Sequence, residues 1–186
     1  QAIQWMLADM VSELDAARRH VERMRPAGSL TAVLVVDLDE FTDLNERYGR
    51  RVGDEVLRQV GERLRVPLRT EDVVARMSDD TFLLVFGRLA SVRSAEMTAD
   101  RVLATLTAPI VVDSTVVAVS ACSGLAVMES RESADRVMSR AVAAVQQAKS
   151  KGPGRSASLD AEAYGRLDDA RRLQAQLHRA ITGEEL

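Results

Sequence analysis

The sequence predicts an α+β fold, an α/β sandwich in which helices cover a central, mostly antiparallel sheet of about five strands. Short runs rich in β-branched residues alternate along the chain with longer segments of helical periodicity. Two pairs of predicted strands are separated only by short polar turns, which is typical of hairpins. The chain has 186 residues, 46% of them hydrophobic and 28% charged, so it is long enough and apolar enough for one complete core.

The first five elements are predicted from apolar periodicity and its interruptions. Apolar residues recur at helical spacing over residues 3–24, and a proline and a glycine follow this helix. The unbroken apolar run at 30–36 predicts a strand that is buried on both faces. Residues 52–64 carry one apolar face and predict a helix. Residues 73–77 and 82–86 predict two strands joined by a tight polar turn.

The second half of the chain predicts two strands and three further helices. Residues 91–108 predict a helix that is capped by its first serine. Residues 111–112 and 116–127 are rich in valine and predict two strands joined by an Asp-Ser turn. A helix at 133–150 ends before a Lys-Gly-Pro-Gly segment, and a last helix is predicted at 161–182.

Charge and hydropathy exclude several classes of function. The net charge is −3 and no block of basic residues occurs, so neither nucleic acid nor an anionic membrane is an expected partner. No apolar run reaches the ~20 residues that a membrane-spanning helix needs. The lone Cys122 lies in an apolar run, and its expected role is that of a small buried side chain. We therefore expect a cytoplasmic domain, or the cytoplasmic part of a membrane-anchored protein.

Two acidic residues, Asp37 and Asp39, follow directly after the predicted strand at 30–36. Carboxylates at the end of a strand can hold Mg²⁺ against phosphate groups, because Mg²⁺ prefers hard oxygen ligands. The pattern is equally typical of solvated acids that end a strand. It therefore leaves a metal site and a structural role open.

Five short motifs occur in a fixed order along the chain. They are FTDLNERYGRRVGD at 41–54, RTED at 69–72, RMSDDTF at 76–82, ACSGLA at 121–126 and RAVAAVQQAK at 140–149. They resemble F-K-x-I-N-D-x-x-G-H-x-x-G-D, R-x-x-D, R-x-G-G-D-E-F, S-x-G-x-A and R-A-D-x-A-L-Y-x-A-K of the GGDEF family, in the same order and spacing. The resemblance covers residues 3–154. It implies the fold of enzymes that join two GTP molecules into cyclic di-GMP with Mg²⁺.

The resemblance implies roles for four residues outside the signature motif. Asp37 falls on a metal ligand of the family, and Lys149 falls on a lysine that binds phosphate. Asn45 and Asp54 fall on the pair that reads the edge of guanine, and an amide and a carboxylate have the hydrogen-bonding groups for that task. Helix capping is the alternative role for Asn45 and Asp54.

The signature motif at residues 78–82 departs from the family. Ser78 and Asp79 replace two glycines, whose backbone passes close to phosphate, often with a positive φ. Asp79 also adds a negative charge, which repels phosphate. Asp80 and Phe82 are kept, but Thr81 replaces a glutamate that the resemblance implies as a metal ligand.

Two more changes fall on the phosphate-binding side. Thr42 stands where the family has a lysine, and Pro153 stands where it has an arginine. Asp37 and Asp80 remain as residual metal ligands. Because charges are lost from both the metal and the phosphate contacts, we expect no cyclase activity.

Arg69 and Asp72 retain the R-x-x-D motif, which the resemblance implies as an inhibitory site for cyclic di-GMP. An arginine there can hold guanine and phosphate groups through bidentate hydrogen bonds. A surface ion pair between the two residues is the alternative. The resemblance thus implies GTP or cyclic di-GMP as the ligand, and Mg²⁺ is not required if only cyclic di-GMP binds.

Residues 1–158 are predicted as a GGDEF-like domain and residues 159–186 as a helical linker. The linker resembles the segment that joins GGDEF domains to EAL phosphodiesterase domains, and a free amphipathic helix is the alternative. We expect a catalytically degenerate domain that regulates an EAL domain by binding GTP or cyclic di-GMP. Two other functions remain open: an active diguanylate cyclase, in which two subunits meet face to face, and a dimerisation scaffold that binds no nucleotide.

Overall fold

The computed structural model describes residues 14–24 and 29–166. The outer parts of the first and last predicted helices, at 3–13 and 167–182, lie outside the described residues. In chain order the elements are α1 (residues 14–23), β1 (Leu30–Leu38), α2 (Phe41–Tyr48), α3 (Arg50–Arg65), β2 (Val73–Arg76), β3 (Thr81–Leu89), α4 (Val92–Ala104), β4 (Ile110–Val112), β5 (Thr115–Val117), β6 (Ala121–Val127), α5 (Ala134–Lys149), β7 (Ser156–Ser158) and α6 (residues 161–166).

A five-stranded sheet in the order β2-β3-β1-β6-β7 forms the centre of the fold. β1 pairs antiparallel with β3 and β6, β2 pairs antiparallel with β3, and β7 pairs parallel with β6. The predicted, mostly antiparallel sheet of five strands is therefore confirmed. β4 and β5 form a separate two-stranded ribbon. Among the described residues, no helix has the length and apolar character to cross a bilayer.

The central strand β1 is apolar throughout because its two faces belong to two different hydrophobic clusters. Leu34 and Val36 pack in the cluster that contains the buried residues of α3 and α4. Val33 and Val35 pack in the cluster that contains those of α1 and α5. Cys122 is a fully buried member of the second cluster, and burial raises the pKa of its thiol. This agrees with its predicted role as a small buried side chain.

Helix α5 crosses strand β6 at Gly124, where the two backbones lie in direct contact. A Cβ atom added to Gly124 would lie 2.2 Å from the carbonyl oxygen of Ala141 and 2.2 Å from the backbone nitrogen of Val145. These are helix backbone atoms, which cannot rotate away as the end of a side chain can. The approach of α5 to the sheet therefore requires glycine at this position.

Gly124→Ala is expected to lower the free energy of unfolding by about 2 kcal/mol, the middle of the range for an overpacked core. Urea denaturation followed by circular dichroism measures this change. Gly61→Ala is the matched control, because a Cβ there would lie 3.5 Å from the Phe82 ring, which is an ordinary contact. Equal midpoints for the two variants would contradict the expected result.

The structure corrects the predicted strand at 116–127. Residues 118–120 interrupt it, since β5 folds back onto β4 while β6 joins the central sheet beside β1. Both parts are rich in valine, so periodicity did not mark the break. The predicted helix at 91–108 ends at Ala104, but its cap is confirmed, because the Ser91 side chain accepts a hydrogen bond from the Ser94 backbone N–H.

Two short elements were missed. Helix α2 has one buried residue, Phe41, so the segment lacks the apolar stripe that predicts a helix. Strand β7 consists of three small residues, of which two are exposed serines, and it is held by parallel pairing with β6. Neither element carries a periodic signal, and tertiary contacts decide both.

Candidate functional site

Asp37, near the end of β1, is the centre of a cluster of polar side chains. It is buried, with 6% of its surface exposed, and it lies opposite Thr81 of β3 in the strand ladder. The Thr81 hydroxyl donates a hydrogen bond to Asp37 Oδ2 at 3.0 Å. The Lys149 ammonium lies 2.5 Å from the other carboxylate oxygen, Oδ1. Both oxygens of Asp37 are therefore held by neighbouring side chains.

Lys149 and Asp80 complete this cluster. Lys149 is the last residue of α5, and 37% of its side chain is exposed. Burial lowers the pKa of Lys149, but the hydrogen bond and charge of Asp37, together with the charge of Asp80, outweigh burial and raise this pKa above its ordinary value. The pKa of Asp80 is raised, first because burial disfavours its carboxylate and second because the Asp37 charge is near. The cluster contains two carboxylates and one ammonium, which contacts Asp37.

The donor atoms of this cluster do not fit a pair of divalent ions. Asp37 and Asp80 supply the two carboxylates, whereas Thr81 supplies a neutral hydroxyl that already donates to Asp37. The ammonium of Lys149 brings a positive charge to Asp37 Oδ1, where a metal ion would otherwise bind. Within residues 14–24 and 29–166, no three acidic, histidine or cysteine side chains converge to hold a metal. The two predicted residual ligands lie together, but a two-ion clamp needs more carboxylates than they provide.

Asp39 has a structural role. Its Oδ2 accepts hydrogen bonds from the Ser120 hydroxyl at 2.7 Å and from the Gly154 backbone N–H at 2.8 Å. Its own backbone N–H donates to the Ser120 carbonyl at 2.9 Å. Asp39 thus ties the end of β1 to the start of β6 and to the loop after α5. Of the two strand-end acids, Asp39 takes the structural role.

The turn between β2 and β3 carries the signature residues and is confirmed as a hairpin. The backbone N–H groups of Met77 and Ser78 donate to the Thr81 carbonyl at 2.8 and 3.3 Å. The guanidinium of Arg76 donates to the carbonyl oxygens of Ser78 and Asp79 at 3.2 and 2.6 Å. The Arg76 side chain therefore holds the turn in place by binding the backbone carbonyl groups of Ser78 and Asp79.

Ser78 and Asp79 do not adopt the positive φ expected at the glycines that they replace. In the part of the chain that the structure describes, the non-glycine residues with positive φ are Glu40, Arg88, Asp113 and Arg131. The backbone of this turn therefore does not require glycine in this chain. The two replacements cause no backbone strain, and what they add is side chains, including the exposed carboxylate of Asp79.

Asn45 and Asp54 lie close together where α2 meets α3. A Cβ atom at Gly53 would lie 1.9 Å from Asn45 Oδ1, so the Asn45 carboxamide rests directly on the Gly53 backbone. Asp54 is the next residue of α3 and is exposed. Both residues lie beyond the first turn of their helices, and neither helix has a side-chain cap at its N-terminus. Helix capping at these N-termini is therefore excluded as their role.

An open groove of about 510 Å³ lies beside Asp54, between α3 and β2. Phe82 of the signature motif and Leu57 form apolar parts of its wall. Besides Asp54, the charged residues on this wall are Arg58, Glu62, Arg65 and Arg76. Apolar walls with a few charged groups are the usual character of a site for a small ligand.

The R-x-x-D motif forms a turn that its own backbone closes. The Arg69 backbone N–H donates to Asp72 Oδ2 at 2.8 Å, and the Asp72 N–H donates to the Arg69 carbonyl at 3.1 Å. The contact between the two residues thus uses the Arg69 backbone, not an ion pair with its guanidinium. Arg69 is exposed, and the buried Asp72 Oδ1 has no hydrogen-bond partner among the described residues.

The family follows from a comparison with family models. The model described as diguanylate cyclase, GGDEF domain, matches residues 11–155. The chain belongs to the GGDEF family. The matched range includes the Asp37 cluster, the Asn45–Gly53 contact and the hairpin.

Named relatives of this GGDEF domain include both enzymes of cyclic di-GMP turnover. It is 28% identical to the cyclic di-GMP phosphodiesterase NbdA of Pseudomonas aeruginosa over 169 residues. The aligned region covers 90% of this chain and 22% of that protein. It is 40% identical to the diguanylate cyclase TpbB of the same species over 96 residues. This aligned region covers 51% of this chain and 22% of that protein. The chain spans about a fifth of the length of the curated relatives it matches.

Solved structures show the same fold. An EAL/GGDEF domain protein from M. capsulatus superimposes with a TM-score of 0.69 at 27% identity, over 78% of this chain and 96% of that one. The GGDEF domain of DgcB from Caulobacter crescentus, in complex with c-di-GMP, superimposes with a TM-score of 0.69 at 26% identity, over 77% of this chain and 84% of that one. The predicted GGDEF fold is therefore confirmed.

Arg140 is the most buried charged residue described in this GGDEF domain, and sequence reasoning gave it no role. It is 1% exposed and forms a bidentate ion pair with Glu132 at 2.8 and 2.7 Å. It also donates to the carbonyl oxygens of Leu159 and Val127 at 2.7 and 2.5 Å. Its position was a usable signal, because it shares the apolar face of α5 with Val137 and Ala141. A larger cavity, of about 970 Å³, lies beside Arg140 at the opposite end of β1 from Asp37.

Proposed function

We propose that this GGDEF domain binds a guanine nucleotide without cyclising it, and that binding regulates an EAL phosphodiesterase domain of the same longer protein. The observation that carries the proposal is the contact of the Asn45 carboxamide with Gly53, next to Asp54. This contact holds Asn45 near Asp54, and the family resemblance implies that these two residues read the edge of guanine. The catalytic side has changed instead, since Thr81 replaces a glutamate that the resemblance implies as a metal ligand, and its hydroxyl donates to the carboxylate of Asp37.

The chemistry of the Asn45–Asp54 pair suits guanine. A carboxylate accepts hydrogen bonds from the N1–H and N2–H donors of the base, and a carboxamide can both donate to N3 and accept from N2–H. Hydrogen bonds to an ionised group are about twice as strong as neutral ones. Asp54 is exposed and Asn45 is partly buried, so a ligand can reach both groups from solvent.

Two guanine ligands fit, GTP and cyclic di-GMP. Arg69 offers an exposed guanidinium on a turn that Asp72 already closes through the backbone, which frees the guanidinium for a ligand. DgcB, a structural neighbour, is described in complex with c-di-GMP, and NbdA is named as a phosphodiesterase of the same compound. These similarities favour cyclic di-GMP at the Arg69 turn, while the Asn45–Asp54 pair favours GTP.

An EAL domain is the proposed partner because of the relatives and the length of this chain. One structural neighbour is an EAL/GGDEF domain protein, and the chain spans about a fifth of its curated relatives. Residues 159–186 follow the sheet and are proposed as the connection to that domain. A GGDEF domain that no longer makes cyclic di-GMP can still bind cyclic di-GMP or GTP. Binding can then regulate an attached domain that degrades cyclic di-GMP.

Calorimetry with GTP–Mg²⁺ and with cyclic di-GMP tests the proposal. Asp54→Ala is expected to abolish GTP binding alone, and Arg69→Ala to abolish cyclic di-GMP binding alone. Asp100→Ala and Arg93→Ala are the controls, because they remove exposed charges of the same kind on α4. No cyclic di-GMP is expected when the protein is incubated with GTP–Mg²⁺. Accumulation of that product would replace the proposal with an active cyclase, and silence with both ligands would leave a dimerisation scaffold.

A further inference from the structure

We propose that Lys149 is the resident cation of the Asp37 cluster: it takes the place of a divalent metal ion, so the site excludes Mg²⁺ and Mn²⁺, and nucleotide binding requires neither. The metal part of this inference stands on the geometry of the free protein. The nucleotide part rests on the proposed function.

Both oxygens of the Asp37 carboxylate contact neighbouring side chains. Oδ1 lies 2.5 Å from the Lys149 ammonium, and Oδ2 accepts the Thr81 hydroxyl at 3.0 Å. These two contacts use about half of the roughly four lone-pair sites of the carboxylate, and the ammonium also neutralises its charge, so Asp37 is a weakened metal ligand. For Mg²⁺ to bind Asp37, Lys149 would first have to withdraw, and a divalent ion would then face a nearby ammonium of the same sign.

Among the described residues, Asp37 has few other carboxylates around it that could help to bind a metal ion. Thr81 stands at a register position opposite Asp37, and its neutral hydroxyl also lies 3.4 Å from Asp80 Oδ1. A carboxylate at residue 81 would instead bring a third acidic side chain to Asp37 and Asp80. Three carboxylates would outweigh one ammonium and favour a divalent ion, whereas two carboxylates and one ammonium leave a single net negative charge. The Thr81 side chain and the Lys149 ion pair therefore both disfavour binding of a divalent ion.

The Lys149 ammonium can still contact the phosphate groups of a nucleotide. More than a third of the Lys149 side chain is exposed, so a phosphate oxygen that arrives from solvent meets the ammonium directly. One ammonium neutralises less phosphate charge than divalent ions do. Guanine contacts at Asn45 and Asp54 would then carry most of the affinity, and chelation of divalent ions would change it little.

Binding of Mn²⁺ to the full chain, measured by electron paramagnetic resonance without nucleotide, tests the metal part. No binding is expected for the natural protein up to about 1 mM Mn²⁺, the weak limit of protein sites for hard cations. Combining Thr81→Glu with Lys149→Met is expected to tighten binding at least about tenfold. Thr81→Glu with Lys149→Arg keeps the positive charge and should bind Mn²⁺ more weakly than Thr81→Glu with Lys149→Met. Circular dichroism checks that each variant is folded.

The lysine content of the chain supplies a matched control and a direct probe. Lys149 and Lys151 are its only lysines, and Lys151 is exposed two residues further along. Thr81→Glu with Lys151→Met should gain no more Mn²⁺ binding than Thr81→Glu alone. In a protein with ¹⁵N-labelled lysine, added Mg²⁺ should leave the Lys149 Nζ signal unmoved. Mn²⁺ binding to the natural protein, with Mg²⁺ shifting that signal, would overturn the inference.

Calorimetry of GTP with excess Mg²⁺ and with a chelator tests the nucleotide part. The two dissociation constants are expected to agree within about threefold, less than one tenfold step of affinity. Binding that requires Mg²⁺ would overturn the inference and leave the proposed function intact. Absence of binding under both conditions would count against the proposed function, and the Mn²⁺ measurement would still decide the role of Lys149.

Discussion

Replacing Arg140 with methionine is expected to lower the free energy of unfolding by about 3–5 kcal/mol, the cost of breaking a buried ion pair on one side. Glu132, itself 7% exposed, would keep its charge and lose its bidentate partner. The carbonyl oxygens of Leu159 and Val127 would lose their donor as well. Because Leu159 precedes α6, the variant should also loosen the start of the proposed linker.

Urea denaturation compares this variant with two others. Arg166→Met removes an exposed pair with Glu162, four residues away on α6, and should cost less than about 1 kcal/mol. Combining Arg140→Met with Glu132→Leu removes both charges and should recover much of the lost stability, since an apolar pair leaves no charge unpaired. If Arg140→Met cost no more than Arg166→Met, the ion pair would not hold α5 to the end of the sheet.

Gly53→Ala is expected to weaken GTP binding by about ten- to a hundredfold, because loss of a polar partner costs ~1–3 kcal/mol. The added Cβ would lie 1.9 Å from Asn45 Oδ1, so the carboxamide must rotate out of its position beside Asp54. The loss should fall on binding more than on stability, since the atom in conflict is the end of a side chain. Calorimetry with GTP, the ligand proposed for the Asn45–Asp54 pair, measures the effect.

Asn45→Ala tests whether the effect of Gly53→Ala passes through the carboxamide. The double variant should bind no more weakly than either single variant, because both changes remove the same contact and so are not additive. Gly61→Ala again controls for stability, since alanine is favoured over glycine in a helix interior by about 1 kcal/mol. A Gly53→Ala protein that binds as tightly as the natural protein would rule out Asn45 as a guanine ligand.

Much of the fold could be predicted from the sequence because its core elements carry strong local signals. The run at 30–36 is apolar at every position, and β1 is buried between two hydrophobic clusters. Helix α5 was predicted within one residue at each end, with its capping serine and its Gly-Pro break. Strand β7 and helix α2 escaped prediction because each is held by pairing or by one buried side chain, without a periodic pattern of its own.

For the candidate site, residue types and spacing predicted which side chains take part, but not how those side chains are arranged. Asp37, Asn45, Asp54 and Lys149 were singled out before the structure, and the structure brings them into two clusters. The structure also assigns roles that the motifs did not indicate. Asp39 connects β1 to β6 through hydrogen bonds, and the signature turn closes without positive φ. The role of Arg140 was missed because an ion pair and two backbone acceptors define it, and these lie apart in the chain.

The sequence by itself determined the GGDEF family, the order of the main elements and the identity of the residues that differ from the family pattern. Those properties follow from local periodicity and from motif spacing, which a linear chain carries in full. Only the tertiary structure decided that Lys149 pairs with Asp37 and that Asn45 rests on Gly53. These residues are separated by up to three quarters of the domain, and the pairing depends on where α5 ends and how closely α2 and α3 approach. Distances of that kind are set by packing, and no short stretch of sequence encodes them alone.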